Sequence, residues 1–310
     1  MTDMTRTTLF LLLLLPGCGL PKTPQDPHTV QGAFDLGGRL RTYQLHIPKG
    51  LDPYKPVPLV FVLHGGGGNG LQMERYSGFS ALSDQHGFIA CYPDGVDRAW
   101  YDGRVVNDSP AHRDKIDDAA FIDALIPAIA RKHPLDEKRL YATGISNGGF
   151  FSHWLGARLS RRFAAIAPVA GGMAPILAAD FKPDAPVSVL LLQGTEDAFV
   201  PFNGGPIKFH RGETVSTRSA VQKWVDHDGC KDGVTEELPD QDPDDGTRVK
   251  RTTYAGGRNG TEVVLYEIEG GGHSWPGGPQ FLPEFAIGRV CRDLDANPVI
   301  WDFFAKHPKP

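Results

Sequence analysis

Ser146 lies in the run Gly-Ile-Ser-Asn-Gly at 144–148, a Gly-x-Ser-x-Gly pattern whose serine could act as a nucleophile. In a chain with 37 glycines such a pattern also arises by chance, so the neighbouring segments must show whether it marks a nucleophile. An apolar segment ends at Ile145, and a segment compatible with a helix begins at Asn147. A strand, a tight turn and a helix in this order expose the serine hydroxyl, and the flanking glycines leave room for it. We therefore predict a nucleophile at Ser146, and a serine that only caps the helix is the alternative.

A serine hydroxyl is a weak nucleophile at neutral pH, so a base must take its proton and a carboxylate must orient that base. In sites of this kind the acid and then the histidine follow the serine along the chain. His273 fits because it follows an apolar strand within a glycine-rich run at 270–275. Asp197 fits because it comes just after the predicted strand that ends at Gln193, where α/β sheets place their active sites. The adjacent Glu196 is the competitor, and we favour Asp197 for its shorter side chain.

A glycine run, His-Gly-Gly-Gly-Gly-Asn at 64–69, follows another apolar segment. Acyl transfer passes through a tetrahedral oxyanion, which fixed N–H donors must stabilise. We predict one donor at the backbone N–H of Asn147 and the other at Gly66 or Gly67. A phosphate-binding loop is the rival interpretation, and it is disfavoured because no Gly-Lys-Ser/Thr ends the run.

Three aromatic side chains in loops could line a pocket for the acyl group: Trp100, Phe202 and Trp275. Ordinary loop packing is an equally good interpretation of them. No Cys/His spacing typical of a metal site is present, so we predict no metal. Cys230 and Cys291 could pair in an oxidising compartment, although the sequence cannot fix their connectivity.

The elements that must position these residues are strands that alternate with helices. Apolar runs at 57–63, 140–145 and 187–193 are typical of strands covered on both faces, as in a parallel sheet. Between the runs, 74–86 and 117–132 carry helical spacing or helix-stop signals. The alternation predicts an α/β fold with a mostly parallel central sheet and helices on both faces.

The amino-terminal segment is predicted to lie outside this fold. Residues 9–15 are wholly apolar but too few to span a bilayer, which needs about 20 residues, so they fit the core of a secretory signal. The sequence Leu-Pro-Gly-Cys that ends at Cys18 resembles a bacterial lipobox, in which the cysteine is lipidated; cleavage nearby with an incidental Cys18 is the alternative. We predict a lipoprotein-type signal peptide over 1–17, a tether over 18–30 and one catalytic domain over 31–310.

Composition narrows the class of protein. The chain has 310 residues, 40% of them hydrophobic, which suffices for one sizeable core. Its formal net charge is -5, its pI is about 6.1, and no basic stripe stands out, so we do not expect nucleic acid as a partner. We expect a monomer that meets a membrane only through a lipid on Cys18.

Taken in order, six segments resemble the polyhydroxybutyrate depolymerase/feruloyl esterase family of α/β-hydrolases. They are His-Gly-Gly-Gly-Gly-Asn at 64–69, Tyr-Pro-Asp-Gly at 92–95, Asp-Asp-Ala-Ala-Phe-Ile at 117–122, Thr-Gly-Ile-Ser-Asn-Gly-Gly at 143–149, Gly-Thr-Glu-Asp-Ala-Phe-Val-Pro at 194–201 and Gly-Gly-Gly-His-Ser-Trp-Pro-Gly-Gly at 270–278. The resemblance implies an α/β-hydrolase fold and a catalytic triad of Ser146, Asp197 and His273. It also implies hydrolysis of feruloyl, acetyl or hydroxyalkanoate esters without a cofactor, by proteins that are typically secreted.

The chain departs from this family at two points. Glu196 stands where the family commonly has a small residue. No cysteine lies near 254–260, where some relatives have the partner of Cys230, so the resemblance does not support a disulfide.

Two rival functions use the same residues differently. The triad could transfer its acyl group to an alcohol, as in the related mycolyltransferases. A catalytically inactive lipoprotein that binds ligands is the rival from another class, and the intact Ser146, Asp197 and His273 argue against it. No appended substrate-binding domain of the polymer depolymerases is recognised, which favours small or oligomeric esters. The sequence therefore predicts a secreted or lipid-anchored serine carboxylic ester hydrolase.

Overall fold

The computed structural model describes residues 26–107 and 109–310. Its strands are β1 Thr29–Leu36, β2 Arg39–His46, β3 Val57–Leu63, β4 Ile89–Pro93, β5 Leu135–Ile145, β6 Ala165–Val169, β7 Ser188–Gly194, β8 Gly205–Pro206, β9 Glu213–Thr214, β10 Val234–Glu237, β11 Arg248–Tyr254 and β12 Val263–Glu269. Its α-helices are α1 Gly70–Ser77, α2 Phe79–His86, α3 Pro110–Arg113, α4 Asp118–Ala130, α5 Asn147–Arg158, α6 Pro175–Ala179, α7 Thr217–Asp228, α8 Glu284–Ile287 and α9 Ala296–Lys306.

The strands form one large mixed sheet and one small ribbon. The large sheet has ten strands in the order β1-β2-β4-β3-β5-β6-β7-β12-β11-β10, and β8 pairs only with β9. From β4 to β12 all neighbours run parallel, whereas β1, β2, β11 and β10 extend the two edges in antiparallel pairs. The predicted mostly parallel sheet is confirmed, and its antiparallel edges are additional.

Helices cover both faces of the sheet, and the residues of β3 show why. Leu59, Phe61 and Leu63 belong to one apolar core and Val60 and Val62 to the other, and none of the five is exposed. The first core is closed by α4, α5 and α7, and the second by α1, α2 and α9. A strand that meets water on neither face must be apolar at every position, because successive side chains alternate between faces.

The predicted helix over 74–86 is in fact two helices, α1 and α2. They meet at Gly78, which has φ 70° and ends one helix while it begins the next. Glycine adopts this left-handed backbone at little cost, so the chain changes direction there. The apolar spacing alone could not reveal this break.

The folded domain begins slightly earlier in the chain than the sequence predicted. β1 begins at Thr29, so residues 29–30 of the predicted tether belong to the sheet. The predicted signal peptide and Cys18 fall within residues 1–25, outside the described residues. None of the helices in 26–107 and 109–310 has the length and apolar character that a membrane crossing requires.

The cysteines of the described chain are all unpaired: Cys91, Cys230 and Cys291. Burial raises the pKa of the Cys230 thiol to about 11, and burial also raises the pKa of Cys291. The pairing of Cys230 with Cys291 that the sequence allowed does not occur in this structure.

Substitution of Phe304 would test whether α9 closes the second core. Its ring is fully buried and stacks on Tyr141 of β5, with ring centroids 4.6 Å apart. Phe304→Ala should lower the free energy of unfolding by about 3–5 kcal/mol, because a large buried ring is lost and a cavity remains. Denaturant titration measures the change, and Asp302→Ala, exposed on the same helix, should cost under about 0.5 kcal/mol. Equal effects of the two variants would contradict this role of α9.

Candidate active site

Ser146 occupies a strained turn between β5 and α5. Its backbone has φ 58° and ψ -120°, and its N–H donates to the carbonyl oxygen of Val169 at 3.0 Å. Residues other than glycine rarely adopt such a conformation. A Cβ on Gly144 would lie 2.7 Å from the carbonyl oxygen of Leu63, and one on Gly148 only 2.3 Å from it. Glycine is required at both positions because the end of β3 passes directly against the turn.

His273 and Asp197 meet at the carboxyl ends of β12 and β7. His273 Nδ1 lies 2.8 Å from Asp197 Oδ2, and both residues are buried. Asp197 Oδ1 accepts the backbone N–H groups of Phe199 and Val200, each at 2.8 Å, and Oδ2 also accepts from Gln193 Nε2 at 3.0 Å. These donors fix the carboxylate, so its orientation toward the imidazole is set by the backbone.

The loop that carries His273 is held by the last residue of α8 and by the segment that follows this helix. The N–H of His273 donates to the carbonyl oxygen of Ile287 at 2.6 Å, and the N–H of Gly272 donates to that of Arg289 at 2.9 Å. Glu196 is exposed, and Asp197 is the acid that contacts His273. Of the two acids that the sequence left in competition, Asp197 therefore has the favourable position.

Within the described ranges 26–107 and 109–310, two backbone N–H groups near Ser146 have no hydrogen-bond acceptor. Asn147 begins α5, and the first N–H groups of a helix have no partner within it. The N–H of Gly67 donates to the carbonyl oxygen of Arg98 at 2.8 Å, whereas that of Gly66 has no acceptor in the described part of the chain. A Cβ on Gly66 would lie 3.8 Å from that of Asn147, so the two free groups are neighbours. Of the two positions that the sequence left open, Gly67 has its N–H engaged and Gly66 has its N–H available, which favours Gly66 as the donor.

The side chain of Asn147 is held by a buried polar network. Its Oδ1 accepts the N–H of Trp100 at 2.8 Å, and its Nδ2 donates to the carbonyl oxygen of Trp100 at 3.0 Å and to Asp102 Oδ2 at 2.7 Å. Asp102 also contacts Arg104 Nη2 at 2.6 Å and His112 Nε2 at 3.1 Å. Burial opposes its ionisation, but Arg104 and His112 hold the pKa of Asp102 well below its ordinary value. Sequence reasoning missed this network, because the polar segment around it carries no periodic signal.

His64 shapes the glycine run in its neutral form. Its Nε2 accepts the N–H of Gly95 at 3.0 Å, so the proton must lie on Nδ1, which donates to the carbonyl oxygen of Gly65 at 2.8 Å. The carbonyl oxygen of His64 accepts Trp100 Nε1–H at 3.0 Å. Burial lowers the pKa of His64 to about 4.

One cavity of about 470 Å³ brings these groups together. Ser146, Asn147, Gly66 and His273 all line it. The apolar part of the lining includes the aromatic residues Tyr76, Phe199, Phe209 and Phe281. The cavity therefore combines a polar floor with an apolar wall, the usual composition of a small-molecule site.

The aromatic residues that the sequence suggested for this pocket lie behind its lining. Trp100 is buried and stacks on Phe151, with ring centroids 5.0 Å apart. Trp275 is buried and donates Nε1–H to Asn297 Oδ1 at 3.0 Å, and Phe202 is buried as well. None of the three lines the cavity. The prediction that they contact an acyl group is therefore corrected to loop packing.

Elsewhere the structure brings together Asp245, Cys291 and Asp293, whose potential ligand atoms lie within 4.8 Å of one another. Sequence spacing did not indicate this group, since its members come from two distant segments. The carboxylate of Asp245 accepts the N–H of Thr247 and that of Arg292, both at 2.6 Å. These two hydrogen bonds join the segment around Asp245 to the segment around Arg292. The carboxylate of Asp245 therefore has a structural role in connecting the two loops.

A solved structure defines the fold class of this chain. The acetyl xylan esterase from Aspergillus awamori superposes with a TM-score of 0.57 over 86% of this chain and 94% of that chain, at 13% sequence identity. The shared architecture, a mostly parallel sheet between two layers of helices, is the α/β-hydrolase fold.

Sequence comparison narrows the class to a family. The family model described as "Esterase PHB depolymerase" matches residues 41–176. The protein named "Putative esterase NocK" from Nocardia uniformis subsp. tsuyamanensis is 32% identical over 289 residues, which cover 90% of this chain and 83% of that protein. Feruloyl esterase B from Piromyces equi is 29% identical over 252 residues, 77% of this chain and 44% of that protein. The chain belongs to the polyhydroxybutyrate depolymerase/feruloyl esterase family, as its motifs predicted, and is a carboxylic ester hydrolase.

Acid should destabilise the fold through His64. Its pKa is about 4 in the folded protein against 6.5 for a free imidazole, so between these pH values the unfolded chain binds more protons. The contribution to stability is complete above about pH 6.5 and is lost as the pH falls through 4, by up to about 3 kcal/mol.

His64→Gln removes this titration but keeps a donor and an acceptor. Between pH 6.5 and 4, unfolding of the parent is expected to take up about one proton at position 64, and unfolding of the variant should not. The unfolding free energy of the variant should therefore depend less steeply on pH than that of the parent. Urea titrations at several pH values measure the slope, and the exposed His86→Gln serves as control. A slope that His64→Gln leaves intact would contradict the neutral, buried state of His64.

Proposed function

We propose that the chain hydrolyses esters through an acyl-enzyme formed on Ser146, with His273 as the base and Asp197 as the orienting acid. The observation that carries the proposal is the convergence of groups in one cavity. The strained Ser146, the hydrogen-bonded His273 and the free N–H groups of Asn147 and Gly66 all face the same space. This is the set of parts that acyl transfer by a serine requires.

In the proposed first step, Ser146 Oγ attacks the ester carbonyl carbon while His273 Nε2 accepts the hydroxyl proton. Nε2 is the free nitrogen because Nδ1 faces Asp197 Oδ2. The carbonyl oxygen becomes an oxyanion, and the N–H groups of Asn147 and Gly66 donate to it. His273 then gives its proton to the departing alcohol oxygen, which leaves the acyl group on Ser146.

In the second step, a water molecule replaces the alcohol. His273 accepts a proton from the water as its oxygen attacks the acyl carbon, and the same two N–H groups stabilise the second oxyanion. Collapse returns the proton to Ser146 Oγ and releases the acid. Asp197 stabilises the imidazolium in both steps, and its own hydrogen bonds to Phe199, Val200 and Gln193 keep it from rotating.

The proposed substrates are feruloyl, acetyl or short hydroxyalkanoate esters. A relative named as a feruloyl esterase and a structural neighbour named as an acetyl xylan esterase support this range. The cavity of about 470 Å³ lies within the usual range of small-molecule sites, about 300–1,000 Å³. Values of kcat/KM for methyl ferulate, acetylated xylan oligomers and hydroxybutyrate oligomers would rank the three classes.

Ser146→Ala tests the nucleophile. Hydrolysis of p-nitrophenyl acetate should fall by about 10⁴-fold or more, because the covalent step loses its attacking oxygen. The same variant should lose labelling by a fluorophosphonate probe, while Ser152→Ala, another serine of α5, should keep both. Retained hydrolysis in a folded Ser146→Ala would overturn the mechanism. An unlabelled parent would indicate a ligand-binding protein, and transfer to an added sugar acceptor would indicate an acyltransferase.

We also propose export and lipid attachment at Cys18, which rests on the apolar run at 9–15 and the lipobox-like sequence that follows it. In a bacterial host the full chain should incorporate radiolabelled palmitate and partition with membranes. Cys18→Ala should abolish the label, and Cys230→Ala should retain it. Export into the medium without any label would show that the sequence acts only as a cleaved signal.

A further inference from the structure

Two arginines, Arg104 and Arg211, line the cavity at Ser146. Among the residues that the structure describes, 26–107 and 109–310, the lining includes no Asp or Glu. Asp102 neutralises Arg104 at 2.6 Å. Arg211 takes part in no ion pair within 26–107 and 109–310. The Arg211 side chain is exposed, so its guanidinium is available to a ligand that enters the cavity.

The guanidinium of Arg211 lies beside the carbonyl-binding end of the cavity. A Cβ built on Gly66 would lie 3.2 Å from Arg211 Nη1 and 3.8 Å from the Cβ of Asn147. Arg211 therefore neighbours the two N–H groups proposed to bind the reacting carbonyl. A ligand group that contacts Arg211 would lie within a few bonds of the ester.

The chain reaches Arg211 through a strained turn. Phe209 has φ 61° and His210 has φ 55°, two consecutive left-handed residues that are not glycine. Residues other than glycine adopt such a backbone at a cost in free energy, so it persists only where its surroundings stabilise it. Arg104 supplies part of that hold, because its Nη1 donates to the carbonyl oxygen of Arg211 at 3.2 Å.

Arg104 is buried, stacks on Phe150 at 3.9 Å and is fixed by Asp102, which also holds the side chain of Asn147. One buried network thus positions both an N–H donor of the reacting centre and the backbone of Arg211. The backbone from which the exposed Arg211 side chain extends toward the cavity is consequently held by this network.

We propose that Arg211 forms a carboxylate-binding subsite and that the enzyme prefers esters bearing a free carboxylate on the acyl or the alcohol part. The proposal rests on the hydrolytic function proposed for Ser146. A guanidinium presents a planar pair of donors that matches a carboxylate, and a cleft lined by one sign of charge attracts the opposite sign. Short hydroxyalkanoate oligomers end in such a carboxylate, whereas acetyl and feruloyl esters of sugars do not.

The test compares substrates that differ only in charge. One pair is the hydroxybutyrate dimer as free acid and as its primary amide, which places the charge on the alcohol part. The second pair is the mono-p-nitrophenyl ester of adipic acid and its primary amide, which places the charge on the acyl part. For at least one pair, the parent protein at pH 7.5 should show a kcat/KM about tenfold higher for the acid than for the amide. This ratio should shrink as salt rises from about 0.05 to 0.5 M.

Two variants assign the preference to Arg211. Arg211→Gln should reduce the acid-to-amide ratio of kcat/KM to about one, and Arg211→Lys should restore part of it because the charge remains without the planar pair. Arg161→Gln removes another exposed arginine, far along the chain, and should leave the ratio of the parent.

The outcomes separate the two proposals. A parent that hydrolyses no member of either pair would contradict the proposed hydrolysis. Ser146-dependent hydrolysis with a ratio near one in both pairs would overturn the subsite alone. An equal loss of acid and amide hydrolysis in Arg211→Gln would also overturn it, because the guanidinium would then act on the oxyanion rather than on a carboxylate.

Discussion

The site depends on how closely two pieces of backbone approach each other. The carbonyl oxygen of Leu63, at the end of β3, leaves no space for a side chain at Gly144 or Gly148. This approach forces the chain at Ser146 into a sparsely populated conformation, and the parallel pairing of β3, β5 and β6 holds it there. The same approach brings the start of the glycine run, which follows β3, alongside the start of α5. The hydroxyl of Ser146 and the N–H groups of Gly66 and Asn147 are thus aligned by one steric constraint.

A second layer of order comes from buried charge. Asp102 is completely removed from water, which would be costly for an isolated carboxylate, and it is stabilised by Arg104, His112 and the amide of Asn147. Removing any one partner would leave a buried polar group without a hydrogen-bond partner, so single substitutions in this network should be destabilising. It ties the segment around Trp100 to the start of α5 and to the turn that carries Arg211. Loops that lie far apart in sequence are therefore joined by hydrogen bonds along one side of the cavity.

The sequence predicted the parts of this molecule that follow from periodicity and local rules. Strand β3 is apolar at every position and was placed correctly, and Ser146, Asp197 and His273 each follow a strand, which sets their common edge. The break at Gly78 was missed because a glycine can end a helix or be tolerated within one. Asp102, Arg104 and Arg211 were missed because their roles arise from contacts between segments. Trp100 and Trp275 were misplaced for the same reason, since a loop aromatic gives no local sign of which side of the loop it occupies.

The small ribbon of β8 and β9 carries the proposed carboxylate subsite on an element of its own. The segment that contains Phe209 and Arg211 is the tip of this ribbon, which pairs with no strand of the ten-stranded sheet. Changes of length or composition at that tip would leave the pairing of the ten-stranded sheet intact. Over evolutionary time such a tip could vary in length and composition while the ten-stranded sheet stays the same, which would allow homologous enzymes to diverge in the acids and alcohols they accept.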